Sequence, residues 1–300
     1  MPKVSVIIPT YNRSNFLRAA VQSVLNQTFT DFDVVIVDDA SEDDTQAVAA
    51  SLRDDRIKCI RHPSNRRIAA TRNTGIVNSA GEYIAFLDDD DQWLPEKLAK
   101  QVAILDRSAS SIGAVYTAFD QVDVATKDVL RTIRPGKRGH ILHELCLRNW
   151  IGTASTVCLR RRCLEEVGLF DESVAFGEEY DMWIRIAHRF DFRYIDEVLV
   201  KYGVHGERLS TNYTVMIDGL LRQLVKHAEF YAIDPPNYSR RYVWLGTLHC
   251  YTGDLRRGRE AFLEAIRASP FAPTNYLYLG LSLLGTKGFK RVMESRRGAR

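Results

Sequence analysis

At 300 residues the chain has room for one large domain or two ordinary ones and can bury a substantial core. Its hydrophobic fraction of 45% and charged fraction of 26% are those of a globular protein and exclude a disordered or fibrous class. A net charge of +3 gives no electrostatic footprint for nucleic acid, no apolar run approaches the ~20 residues of a membrane helix, and the cysteines (Cys59, Cys146, Cys158, Cys163, Cys250) form no CxxC pair.

Met1-Pro2-Lys3 leads directly into Val4-Ser5-Val6-Ile7-Ile8, with no signal peptide, so a reducing cytosol is the expected compartment. That apolar run reads as a short strand closed by Pro9. Asn15 to Asn26 has helical spacing, with Phe16, Leu17, Ala20, Val21, Val24 and Leu25 on one face and Ser14 as its cap. Val34 to Val37 is the next strand and ends in Asp38-Asp39. Thr45 to Leu52 reads as helix, Ile57 to Ile60 as a third strand, Ala69 to Ser79 as helix and Tyr83 to Leu87 as a fourth strand. Alternating strands and helices, with strands apolar on both faces, predict an α/β fold with a mostly parallel sheet flanked by helices.

In such sheets ligands sit outside the carboxyl ends of the strands. Here those ends carry Pro9-Thr10-Tyr11-Asn12, Asp38-Asp39, and four consecutive acids, Asp88, Asp89, Asp90 and Asp91. Adjacent carboxylates repel, so a folded site needs a cation or many hydrogen bonds to keep them ionised together. The run therefore points to a divalent metal meeting an anionic ligand. Each element has a plainer reading: a turn into a helix, a helix cap, and a solvated acidic loop. A phosphoacceptor receiver domain fits less well, because its acidic pair follows the first strand and no lysine stands at a later strand end.

These segments resemble the family 2 glycosyltransferases, which have the GT-A fold. The resemblance is carried by Val4 to Arg13, Ser23 to Phe29, Val37 to Thr45, Ala70 to Ile76 and Gly81 to Trp93, in the family's order. It implies that Pro9, Thr10, Tyr11, Asn12 and Asp39 receive the nucleoside of a UDP-, dTDP- or GDP-linked sugar. Asp88-Asp89-Asp90 is similar to the family's Asp-x-Asp motif, which implies Mn²⁺ or Mg²⁺ held chiefly by Asp90, with Asp88 and Asp89 in support. Arg72 looks like the family's arginine near the diphosphate. Asp91 is expected to face away, near the following helix.

Phe176 to Arg185 looks like the family's acidic pair ahead of a helix carrying Trp and Arg, written here Glu178-Glu179 rather than the commoner Glu-Asp. The resemblance implies that Glu179, with Glu178 as the alternative, is the base that deprotonates an acceptor hydroxyl, with inversion at the sugar. The rival account of the pair is favourable charge at a helix start. Trp150 to Val157 resembles the acceptor-side loop and strand. Tyr202-Gly203-Val204-His205, ahead of Leu209-Ser210, makes His205 a candidate to close over the diphosphate or metal. The family often has glycine in the stretch written here Asn65-Arg66-Arg67-Ile68. The Gln-x-x-Arg-Trp motif of processive synthases is missing, which favours addition of one sugar at a time.

The expected organisation is a nucleotide-sugar-binding half over 1–110, an acceptor-binding half with the base over 111–212, and an all-helical extension over 213–300. In that extension Tyr242, Leu245, Gly246, Gly253, Phe262, Ala265 and Pro270 fit a tetratricopeptide hairpin, and Tyr276, Leu279 and Gly280 repeat the first three. Such an extension is expected to pack on the catalytic domain or to form a homo-oligomer. The basic end, Lys287 to Arg300, is a candidate for peripheral contact with anionic lipid. The leading functional expectation is a metal-dependent inverting glycosyltransferase acting on a glycan or lipid-linked glycan, with no nucleic-acid partner. The competing class is a noncatalytic sugar-nucleotide-binding or scaffold protein of the same fold.

Overall fold

The computed structural model describes residues 1–206 and 212–298; Leu209-Ser210 and the last two residues of the basic end lie outside the described residues. The chain divides into two compact units: Met1–Ser173 with Glu178–Gly206, and Val174–Gly177 with the helical remainder.

The first unit opens with β1 (Val4–Thr10), α1 (Ser14–Leu25), β2 (Phe32–Asp38), α2 (Thr45–Ser51), β3 (Ile57–Arg61), α3 (Arg67–Val77) and β4 (Tyr83–Phe86). It continues with β5 (Gln92–Trp93), α4 (Lys97–Arg107), β6 (Ile112–Asp123), β7 (Val129–Ile133), α5 (Leu142–Leu147), a short 3₁₀ turn at Ala154–Thr156 and β8 (Cys158–Arg160). It closes with α6 (Arg161–Val167), α7 (Glu178–Ala187) and β9 (Asp191–Val204). The nine strands form one sheet in the order β3-β2-β1-β4-β8-β6-β9-β5, with β7 paired to β6. β3, β2, β1 and β4 are mutually parallel; β8 runs antiparallel to both β4 and β6. The sheet therefore runs without a break across residue 110, and the expected donor and acceptor halves share it. Val4, Val6 and Ile8 of β1 pack with Leu17, Val21 and Val24 of α1 in the main core.

The first strand is longer than its composition suggested, because Pro9 lies within it. Leu87 N donates to Ile7 O and Asp39 N to Thr10 O, so odd residues of β1 face β4 and even ones face β2. Pairing with β4 stops at Ile7↔Phe86 while pairing with β2 continues to Thr10↔Asp38. The N–H that Pro9 lacks would face β4, so the ladder to β4 stops here while the ladder to β2 runs on. Ser14 is not the cap of α1: it is the first helical residue, and its N–H is satisfied by Asp43 Oδ2 at 3.0 Å.

Arg67, where the family tends to have glycine, has φ 69. A side chain there costs about 1 kcal/mol, partly balanced by the unfolded-chain entropy that glycine adds. Arg67→Gly is expected to raise stability by about 0.5–1 kcal/mol, read as a Tm increase of roughly 2 °C in a melting curve.

The second unit contains α8 (Tyr213–Lys226), α9 (Ala228–Ala232), α10 (Pro235–Thr252), α11 (Leu255–Ala268), α12 (Pro273–Ser282) and α13 (Gly285–Gly298). Its small core joins Cys250, Phe262 and Phe289, one each from α10, α11 and α13. The α10–α11 hairpin turns at Gly253, φ 93. Gly246 lets the two helices close, since a Cβ there would stand 2.5 Å from the Phe262 ring. Its counterpart one repeat on, Gly280, meets nothing. No described helix is long and apolar enough to cross a membrane.

Candidate active site

The expected rim forms at the carboxyl ends of β1, β2 and β4. After Thr10, Tyr11 stands 43% exposed, offering its ring to solvent. Asn12 takes a left-handed turn, φ 52, fixed by Ser41 Oγ accepting from Asn12 N at 2.9 Å and by Glu42 N donating to Asn12 Oδ1 at 2.7 Å. The buried Asp38 accepts from Ser41 N at 2.9 Å and lies 3.4 Å from Arg61. Asp39 accepts from His62 Nδ1 at 2.7 Å and from the backbone N–H groups of Arg66 and Arg67, both at 2.8 Å. Asp39 thus organises the loop ahead of α3.

The four aspartates have four different surroundings. Asp88 Oδ1 accepts from Arg72 Nη2 at 2.7 Å, and its backbone N–H donates to Ser155 Oγ at 3.0 Å. Asp89 is buried; burial first and Asp90 second push its carboxyl up to about 8, against the opposing influence of the Thr10 hydroxyl and Arg13. Asp90 stays partly exposed, with His205 Nε2 2.8 Å and Arg13 Nη1 3.9 Å from its Oδ2. Asp91 is 1% exposed and accepts from Gly203 N at 2.9 Å, while its Oδ2 has no protein partner. Burial, Asp90 and Asp88 raise its carboxyl well above the ordinary range. The expectation that Asp91 faces the following helix is corrected: it anchors β9, because its turn aims it into the sheet.

That anchor brings His205 to the site. Gly203 has to be glycine for the same reason, since a Cβ would lie 2.3 Å from the Asp90 carbonyl oxygen. Gly203→Ala is expected to cost about 2 kcal/mol, as read in a melting curve, because rigid backbone must move.

His205 stacks on Phe16, with centroids 5.3 Å apart, and its Nε2 also lies 3.1 Å from Arg13 Nη1. One ring nitrogen cannot donate to Asp90 and accept from Arg13 at once. An imidazole nitrogen and a carboxylate oxygen 2.8 Å apart also match the ~3 Å edge between neighbouring ligands of an octahedral ion with bonds of about 2.1 Å. The Asp90 carboxylate with phosphate oxygens would suit Mn²⁺ or Mg²⁺, and a nitrogen ligand from His205 would favour Mn²⁺ of the two. Among the described residues no group of three or more His, Cys, Asp or Glu converges on one cation position. The residues therefore fit a cation that substrate must help to hold.

Arg72, only 2% exposed, joins this rim to α7: Nη2 is on Asp88 and Nη1 on Glu178, each at 2.7 Å. Burial opposes its charge, but Asp88, Glu178 and Glu179 outweigh that and hold it firmly protonated. Glu178 is buried in this pair, whereas Glu179 keeps part of its surface. Glu179 Oε2 accepts from Ala154 N at 2.8 Å. Desolvation by surrounding atoms raises its carboxyl well above the usual range; Arg72 opposes the rise, and Glu178 and Asp88 add to it.

The structure therefore groups Asp88, Arg72, Glu178 and Glu179 around one buried cation, and Asp90 with His205 and Arg13. Tyr11 and Asp39 lie on the β1 and β2 ends of the rim. Three neighbours of these groups were given no role by the sequence: Arg13, Ser155 and Tyr202, although all three lie inside stretches already singled out. Tyr202, on β9, is surrounded by carboxylates; burial first and then Asp91, Asp90 and Asp88 push its hydroxyl upward. None of the three has a spacing that marks it.

Comparison with known proteins follows the same geography. Over 211 residues, 70% of this chain and 80% of the relative, the sequence is 30% identical to the Escherichia coli glucosyltransferase WfgD. It is 29% identical to E. coli WfaP over 71% of this chain and 81% of that one. The fold is similar to S. aureus TarS 1-349 in complex with UDP, with TM-score 0.65 at 19% identity over 99% of this chain and 92% of that one. It is also similar to the Pyrobaculum calidifontis mannosyltransferase PcManGT in complex with GDP-Man and Mn2+, with TM-score 0.60 at 20% identity over 94% and 80% of the two chains. These likenesses bear out the α/β GT-A-like fold with its helical C-terminal region. The model "Glycosyl transferase family 2" matches residues 5–168, from the first strand to the end of α6, and the chain belongs to that family of sugar-transferring enzymes.

Proposed function

We propose that this glycosyltransferase moves one sugar from a nucleotide-diphosphate donor to a hydroxyl of a lipid-linked glycan, in a metal-dependent single displacement that inverts the anomeric centre. The observation that carries the reading is Arg72, which ties the donor-side Asp88 and the base helix α7 into one rigid assembly at 2.7 Å on each side. Support for the acceptor comes from WfgD and WfaP, each named a UDP-Glc:alpha-D-GlcNAc-diphosphoundecaprenol beta-1,3-glucosyltransferase.

In this reading Tyr11 offers a flat face to the nucleobase, and Thr10, Asn12 and Asp39 shape the pocket around the nucleoside, with Pro9 behind them. Asp90 and His205 would hold Mn²⁺ or Mg²⁺, with Asp88 and Asp89 beside them. When bound, that ion neutralises charge on the departing diphosphate. Arg72 adds positive potential on the diphosphate side while remaining paired to Asp88 and Glu178. Glu179 takes the proton of the acceptor hydroxyl as that oxygen bonds to the anomeric carbon and the nucleoside diphosphate leaves. The raised proton affinity of Glu179 suits this, since a stronger base accepts the proton more readily near neutral pH. A lipid-linked acceptor places the reaction at a membrane face. α13, with Lys287, Lys290 and Arg291 following the exposed Leu283 and Leu284, supports peripheral contact there.

A melting screen of UDP-, GDP- and dTDP-sugars with and without Mn²⁺ tests the donor assignment. One nucleotide class should raise Tm in a metal-dependent way, following RT ln(1 + [L]/Kd). A flat response to all of them at millimolar concentration would remove the donor site.

A further inference from the structure

Next to the acceptor-side loop lies a concentration of positive charge that the donor chemistry does not use. Residues 131–148 contain five Lys or Arg against a single Glu. Arg134 is committed to Asp196 at 3.0 Å. Lys137 and Arg148 converge on one aromatic ring: the Arg148 guanidinium stands 3.6 Å and Lys137 Nζ 5.5 Å from the centroid of Trp150. The backbone beneath this cluster is fixed, with Tyr116 Oη donating to the Lys137 carbonyl at 2.5 Å. Lys137 has Glu144 at 3.6 Å, and among the described residues no carboxylate pairs with the exposed Arg148.

The cluster is close to the proposed base along the chain. Asn149 Oδ1 accepts from Ile151 N and Gly152 N at 3.1 Å each, and its Nδ2 donates to Gly152 O at 2.8 Å, so the loop after Trp150 is folded on itself. Ala154, four residues beyond Trp150, donates to Glu179. Four fully extended residues span at most ~14 Å, and this folded loop covers less.

We propose that Lys137, Arg148 and Trp150 recognise the diphosphate of a lipid-linked acceptor whose hydroxyl, one sugar away, is presented to Glu179. The inference rests on the lipid-linked reading above and adds the groups that select it. A guanidinium fork and an ammonium match the oxygens of a diphosphate, and the indole under the guanidinium holds that fork in place and reports on what it binds.

Farnesyl diphosphate is the probe, titrated by calorimetry and tryptophan fluorescence with UDP and Mn²⁺ saturating, so that the donor site is filled. Wild type is expected to bind with a fluorescence change that Trp150→Phe removes. The Lys137→Ala, Arg148→Ala double variant should bind roughly 100-fold more weakly, about tenfold for each lost cation, and Arg148→Lys should fall between. Unchanged binding in the double variant overturns the site. Phosphatidylglycerol vesicles form the second arm: if they displace the probe as well as farnesyl diphosphate does, the cluster reads phospholipid headgroups and the proposal fails. In transfer assays, the ratio of kcat/KM for the diphosphate acceptor to that for an octyl glycoside acceptor should collapse in the double variant; a preserved ratio also overturns it. The binding arms need no turnover, so failure of the glycosyl-transfer reading shows separately, as absence of product with either acceptor in wild type.

Discussion

Glu179→Gln is expected to reduce sugar transfer by about 10³-fold while leaving nucleotide binding within about twofold of wild type. The amide oxygen can still accept from Ala154 N, so the geometry survives and only basicity is lost. The pH dependence has a definite sign. As the proposed base Glu179 has to be deprotonated to act, and desolvation raises its proton affinity. The acid limb of kcat/KM should therefore lie above the range where an ordinary glutamate titrates, with activity rising as pH climbs through the raised value. Stability should run the other way. Between the unfolded glutamate's pKa and the raised folded one, the native state holds more protons than the unfolded chain, so stability falls as pH increases. Glu179→Gln, which has no proton to lose, should melt higher than wild type at neutral pH. Wild-type turnover by this variant in a nucleotide-release assay would end the base assignment and favour a noncatalytic binding protein.

Asp90→Asn should weaken Mn²⁺-dependent nucleotide binding by on the order of 100-fold, with little change when the metal is chelated. Asp90 is the carboxylate of the run that is neither tied to Arg72, like Asp88, nor buried, like Asp89 and Asp91. His205→Ala should cause a smaller loss in the same direction, because the ring also contributes its stack on Phe16. Isothermal titration with UDP or GDP, with and without Mn²⁺, separates the two states. Equal affinity of wild type and Asp90→Asn in the presence of metal would show that the cation is held elsewhere.

Much of the rim proposed for the donor was legible because it is local. Strand, turn and acid follow one another in the chain, and Thr10, Asp39 and Asp88 each stand within three residues of a strand end that hydrophobic pattern alone locates. What the sequence could not show is pairing over distance. Asp88 meets Arg72 across 16 residues, Arg72 meets Glu178 across 106, and Asp90 meets His205 across 115. No periodicity encodes those separations. The different fates of Asp88, Asp89, Asp90 and Asp91 were equally hidden, because one turn residue more or less decides which carboxylate enters the sheet. Arg67 was visible as a departure from the family's glycine, but its positive φ was not. The 34-residue spacing of Gly246 and Gly280 could be read from the chain, while the contrast between the crowded Gly246 and the open Gly280 required coordinates.

Arg72 has a consequence for how mutational data on this enzyme will look. Its guanidinium is the shared counterion of two carboxylates from distant parts of the chain, and it is buried. Truncating it strands both acids, a loss that should disturb α7 and the rim at β4 together. A saturation scan will therefore rank this position beside the base itself, for variants that never altered a bond-making group. Even lysine will score as a null allele, since one ammonium cannot span two forks. Double-mutant cycles with Asp88→Asn and Glu178→Gln distinguish the two kinds of damage: removing the stranded acids should recover folding without recovering turnover.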